Sequence, residues 1–206
     1  GILWAAGIEA PAPPDGRARA PVNAHPADVI NLSFGGHGRD DGGRIESLDR
    51  AVCSARGTGA VVVAATGNWT AGDPRRVMSP ANGPCAFAVG SVDDDTRLSS
   101  WSLYTPGDQT VDVVAPGESI VSTLPRGSYG SMDGTSMATP YVAGVAALVL
   151  AQDPALTPED VERRLRETAW RPAEEAEGPA DGSTVAERYG AGIVCIHAAL
   201  DPTVFD

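Results

Sequence analysis

The run Asp133-Gly-Thr-Ser-Met-Ala-Thr-Pro140 sets a serine hydroxyl, that of Ser136, at the entry to a long apolar segment. A helix start leaves its first N–H groups without intrahelical acceptors and carries the positive end of the helix dipole. A Ser there combines a nucleophile with a place for negative charge. Acyl transfer needs both, an oxygen that attacks and donors that hold the oxyanion. Taken alone, Gly134-Thr135-Ser136 is equally a helix cap ahead of a core helix. Beyond it, Val142, Val145, Leu148, Val149 and Leu150 lie among Ala and Gly with no charge between them, which predicts a helix buried on all sides. Asn68 ends the apolar run Val61-Val-Val-Ala-Ala-Thr-Gly-Asn, a position where Asn is by itself a common turn former.

These side chains need elements to hold them. Apolar runs at residues 29–32, 60–65, 87–92 and 111–114 predict adjacent parallel strands covered on both faces, with Ser136 and Asn68 at their C-terminal edge. Between the first two runs, Ile45, Leu48 and Val52 repeat at helical spacing and Gly57 supplies a stop. A later helix carries Thr157 as N-cap, Pro158 at its first position, Glu159 and Asp160 in its first turn, and Leu156 placed to pack on Val161. Residues 9–26 and 171–187 read as surface loops, and the opening Gly-Ile-Leu-Trp-Ala-Ala-Gly as helical. The pattern is that of one α/β domain without internal repeats.

With 206 residues and a net charge of −12, the chain is long enough for a sizeable core and poorly suited to nucleic acid or an anionic membrane. No apolar run is expected to span a bilayer. Cys53, Cys85 and Cys195 are too widely spaced for a zinc pattern. His25, His37 and His197 sit in loop-like or terminal positions, His37 being the one to weigh as a general base for Ser136. There is no leader pattern, and the first residue reads as a cut inside a longer precursor.

The 133–140 run resembles the nucleophile motif of the subtilisin-like serine proteases (subtilases, peptidase family S8), and further segments resemble that family in its order. They are Val29-Ile-Asn-Leu-Ser-Phe-Gly-Gly36, the run ending at Asn68, Ser79-Pro-Ala81, Ala88-Val-Gly90, Val111-Asp-Val-Val-Ala-Pro-Gly117 and Tyr189-Gly-Ala-Gly-Ile193. The resemblance implies a three-layer α/β fold with a mostly parallel sheet, residues 1–206 forming the C-terminal part of a single catalytic domain. It also implies that the sheet is incomplete at its N-terminal side, leaving the 29–32 strand as an unpaired apolar edge.

As chemistry, the resemblance implies a secreted endopeptidase acting on polypeptide. Ser136 attacks, Asn68 completes the oxyanion hole, and the Asp and His of the triad come from an N-terminal part of the same protease outside this chain. Ser33, Phe34 and Gly35 would form one wall of the pocket for the residue before the cut, Ala65, Thr66 and Gly67 the other, and residues 77–80 the floor, with Thr135 also at the substrate. No acidic residue marks the floor, which favours apolar or mixed specificity. Met137 would be a site of oxidative inactivation, and Tyr141 stands where relatives carry a His outside the triad. The chemistry needs no cofactor. Structural calcium occurs in such proteins and would use Asp112 or Asp73, which read equally well as capping or surface carboxylates. Cys53 and Cys85 either form a disulfide, as in some relatives, or stay buried thiols, and Cys195 reads as a packed thiol. The alternatives are a pseudoprotease or peptide-binding module that never receives the missing pair, and an unrelated hydrolase using His37.

Overall fold

A computed structural model describes residues 1–12, 18, 21–38, 43–172 and 181–201. Parts of both expected loops, residues 13–17, 19–20 and 173–180, lie outside the described residues. The core is a parallel sheet in the order β1 (Val29–Leu32), β2 (Val61–Ala65), β3 (Phe87–Val92), β4 (Val113–Pro116). Side chains alternate across it. Val62, Ala64, Ala88 and Val114 face α1 (Ile2–Ala5) and α2 (Glu46–Arg56), while Val61, Val63, Phe87, Val89 and Val113 face α3 (Thr135–Gln152), α4 (Pro158–Glu167) and α6 (Ile196–Leu200). Two buried faces explain why the strands are apolar at successive positions and not at every other one. The three layers and the parallel sheet agree with the sequence reading, and β1 is an outer strand.

The differences are local. The fourth strand runs from Val113 to Pro116 and not over residues 111–114, because Asp112 turns its carboxylate onto the Ala88 N–H at 2.7 Å before the ladder begins. Gly57 ends α2 in the right-handed region, and Gly59, at φ +99°, makes the left-handed turn. The antiparallel hairpin β5 (Ile120–Leu124) and β6 (Ser128–Met132) was not expected; its signal was the Pro125-Arg126-Gly127 turn. Helix α5 (Val185–Tyr189) begins inside the second expected loop, capped by Thr184 with Glu187. The Thr157 cap of α4 forms as read, with Asp160 completing a capping box. Cys53 and Cys85 are joined in a disulfide, and Cys195 is a free, half-buried thiol.

Helix α3 departs from its expectation most. It packs on all four strands, yet Pro140, Tyr141, Gly144, Ala147, Leu148 and Ala151 form one exposed face, with Leu148 44 % exposed. Its 18 residues and mean hydropathy of 1.2 also meet the length and composition of a bilayer span, contrary to the sequence expectation. Its packing against the sheet accounts for that apolarity as a core helix's.

Candidate active site

Ser136 is the second residue of α3, half-buried, beside the end of β1. Its Oγ donates to Ser33 O at 3.0 Å, while Ser33 Oγ donates to Ser136 O at 2.8 Å and accepts from Asn31 Nδ2 at 2.9 Å. The hydroxyl that would attack is therefore held by a backbone carbonyl. That carbonyl orients it but is far too weak a base to take its proton. Among the described residues, no His or carboxylate accepts from it. His25 lies in the Asn23 turn, His37 follows Gly36 beside Gly43, and His197 lies in α6.

Asn68 is placed by its neighbours on both sides. Leu103 N–H donates to Gly67 O at 3.1 Å and Trp69 N–H to Trp101 O at 2.7 Å, clamping the backbone around it. Its Oδ1 accepts from Thr135 N and Thr135 Oγ1, each at 3.0 Å. A backbone N–H can only donate, so that contact fixes Oδ1 toward Thr135 and turns the Nδ2 donor the other way. A β-carbon at Gly134 would lie 3.2 Å from Asn68 Nδ2 and 3.5 Å from Ser136 N. One point in space, kept open because residue 134 has no side chain, is thus within reach of both donors. The two nitrogens converge beside residue 134, and they are the kinds of donor an oxyanion site uses.

The remaining expected residues divide. Ser33 is half-buried, and Phe34 and Gly35 are exposed along the β1 extension; Gly67 is half-buried opposite them. Thr135 lies differently from the others: its side chain is buried at 1 % exposure, and its Oγ1 accepts from Gly67 N–H at 3.1 Å while donating to Asn68, so that it holds the Asn68 amide in place. Ala65 and Thr66 are likewise buried behind the wall, their strand being covered on both faces, and Gly67 presents the backbone there. Residues 77–80 are joined to Gly36 through Ser79 and to Thr66 through Met78. The sequence reading that Gly134 permits a close approach at this helix start fits its position, where a side chain would crowd Asn68 Nδ2.

The two calcium candidates are both engaged by protein donors. Asp112 accepts from Ala88 N–H through Oδ2 and from Arg166 Nε through Oδ1 at 3.0 Å, so both oxygens are engaged. Burial pushes its pKa up, opposed by those donors. Asp73 accepts from the Thr70 hydroxyl in a local turn. No group of three or more His, Cys, Asp or Glu side chains is arranged for a metal among the described residues. A charged cluster does occur at the opposite end of the sheet, where Arg56 pairs with Glu159 and Glu162 and Arg166 with Asp112; burial raises the Glu162 pKa.

Comparison with known proteins agrees with this arrangement. Subtilisin E of Bacillus subtilis is 45 % identical over 143 residues, covering 69 % of this chain and 35 % of the relative. M-protease of Shouchella clausii is 42 % identical over 141 residues, covering 68 % and 34 %. A protease of Pseudoalteromonas arctica superposes with a TM-score of 0.77 at 32 % identity, covering 98 % of this chain and 57 % of that one. The chain thus spans about a third of the length of these curated relatives. A sequence model of the subtilase family matches residues 4–192, and the chain belongs to that family.

Proposed function

We propose that this chain is the nucleophile- and oxyanion-bearing part of a secreted serine endopeptidase, active when joined with an N-terminal part of the same protease that brings the catalytic Asp and His. The observation that carries the proposal is the convergence of Asn68 Nδ2 and Ser136 N on one point beside Gly134. In the assembled site the His would take the Ser136 proton now held on Ser33 O, Ser136 Oγ would attack the peptide carbonyl, and its oxygen would settle between the two donors. The Asp would orient the His, which then protonates the leaving amine; water hydrolyses the acyl-enzyme by the reverse path. No cofactor enters these steps. The Cys53–Cys85 disulfide supports a secreted, oxidising setting, and the net charge of −12 supports neither nucleic acid nor an anionic membrane as a partner.

Fluorophosphonate labelling tests the reading. This chain alone should label weakly, and the chain joined to its Asp- and His-bearing part should label on the order of 10⁴-fold faster or more, a scale established on subtilisins themselves. Ser136→Ala should abolish labelling. Strong labelling of the chain alone, lost in His37→Ala, would overturn the proposal in favour of a different hydrolase. No labelling or peptide hydrolysis in the joined form would leave a peptide-binding module.

A further inference from the structure

We infer that Met78 closes the pocket for the residue before the scissile bond, so that this protease cleaves after small side chains: glycine, alanine or serine. The inference rests on the peptidase reading above and adds its substrate class. The floor segment is tied to both walls. Ser79 and Gly36 exchange N–H···O bonds of 3.0 Å, and Met78 N–H donates to Thr66 O at 2.9 Å. Between those anchors the Met78 side chain crosses the gap. A β-carbon at Gly35, on the first wall, would lie 3.1 Å from Met78 Cβ. One at Gly67, on the second wall, would lie 2.9 Å from Met78 Cγ and 2.7 Å from Sδ.

The side chain is therefore rooted against one wall and ends against the other, and each wall admits it only because it presents a glycine there. Gly67 adds a backbone at φ +104°, which side-chain-bearing residues rarely adopt, and Leu103 Cδ1 closes behind it, 3.0 Å from the same point. A phenylalanine or leucine entering between these walls would need the volume Met78 holds. A methyl or hydroxymethyl group can rest on the thioether, a soft and adaptable surface. Met78 is half-buried, as a plug with one side toward the cleft should be. The absence of an acidic floor residue favours apolar or mixed specificity from sequence; the position of Met78 narrows that to small.

The enzyme joined with its Asp- and His-bearing part would be assayed on tetrapeptide anilides that differ only in the residue before the cut. Alanine should exceed leucine and phenylalanine by about 10-fold or more in kcat/KM. Met78→Gly should raise the phenylalanine and leucine substrates by about 10–100-fold relative to alanine, while Met78→Leu, which keeps the volume, should preserve the small-residue preference. Met78→Ala serves where the glycine variant folds poorly. Binding of the corresponding tetrapeptide acids to the Ser136→Ala form reads the pocket without turnover, so a missing activity counts against the peptidase reading and the binding order still decides the pocket. A preference of the unsubstituted protein for phenylalanine or leucine in either measurement overturns the inference. So does an unchanged ratio in a Met78→Gly or Met78→Ala protein whose melting matches the parent.

Discussion

Along β4 the outer edge of the sheet is covered by the chain's own last turn: Val114 N–H donates to Gly192 O and Val194 N–H to Val114 O, each at 2.9 Å, and Ala191 N–H to Asp112 O at 2.8 Å. Along β1, among the described residues, no strand pairs with the outer edge, and an apolar groove opens on each face of it. One groove, of about 590 Å³, lies among Ile2, Ile30, Leu32, Phe34 and Leu48; the other, of about 490 Å³, lies among Val29, Ala147, Leu150 and Pro154 and continues onto the exposed face of α3. The open edge also adjoins the candidate site, because β1 leads directly into Ser33, whose carbonyl accepts from the Ser136 hydroxyl. On the proposed reading, one added segment would cover this edge and bring the base. Soluble proteins do not leave such an edge bare.

The largest effect expected from this contrast concerns the isolated chain. Covering the β1 edge, both grooves and the α3 face should add on the order of 10 kcal/mol, comparable with the stability of a whole domain. Alone, the chain should self-associate through the edge or retain secondary structure without fixed packing, as read by light scattering, ANS binding and near-UV circular dichroism. A monodisperse monomer with a sharp cooperative melt would break the comparison and favour a self-sufficient binding module.

Paired truncations sharpen it. Leu165, fully buried in α4 on the covered side, should cost about 2–5 kcal/mol on replacement by Ala whether or not an N-terminal part is present. Leu148→Ala on the open face of α3 should cost less than about 0.5 kcal/mol in the chain alone and rise to the same 2–5 kcal/mol in the joined protein. Urea midpoints give both numbers, and equal Leu148 costs in the two contexts would show that nothing packs there. The Cys53–Cys85 link, between α2 and the approach to β3, closes a separation of 32 residues. Replacing both by Ala should lower stability by about 3–4 kcal/mol in either context.

The smallest effect is that of acid. Thr157 and Arg163 hold the Asp160 carboxyl at about 2, and Tyr104 and Ser183 hold that of Asp181 at about 2, below their ordinary value of 3.8. Depressed folded-state pKa values give stability that is full above about pH 4 and lost as pH falls toward 2. Asp112 and Glu162, raised by burial, have the opposite sign: they oppose folding when ionised and cease to do so as they protonate. Urea midpoints between pH 5 and 2 should therefore fall modestly, and less in Asp160→Asn. The Asp181 contribution belongs to the covered side, through Tyr104, so hydrogen exchange should rise there and not at β1.

Much of this architecture is legible along the chain because it rests on local physics. Continuous apolar runs mark doubly covered strands, Thr157-Pro-Glu-Asp160 marks a capped helix, and a Gly-Thr-Ser entry to an apolar helix marks a serine hydroxyl at a helix start. What failed depended on partners. An all-apolar α3 looks buried all round when its neighbours are unknown, and the 120–132 hairpin has too few large apolar residues to stand out. The inward turn of the Thr135 side chain was not legible, because motif membership says which residues gather, not which way each turns.

The sequence by itself determined the nucleophile, its helix start, the strands and the family, since each is written in residues close together or in their order. Only the tertiary structure decided that Thr135 turns the Asn68 amide across a separation of 67 residues, that Met78 bridges Gly35 and Gly67, and that residues 191–194 cover the edge at β4. Each of those depends on which distant backbones come within a few ångströms of one another, and that is set by the packing of whole layers.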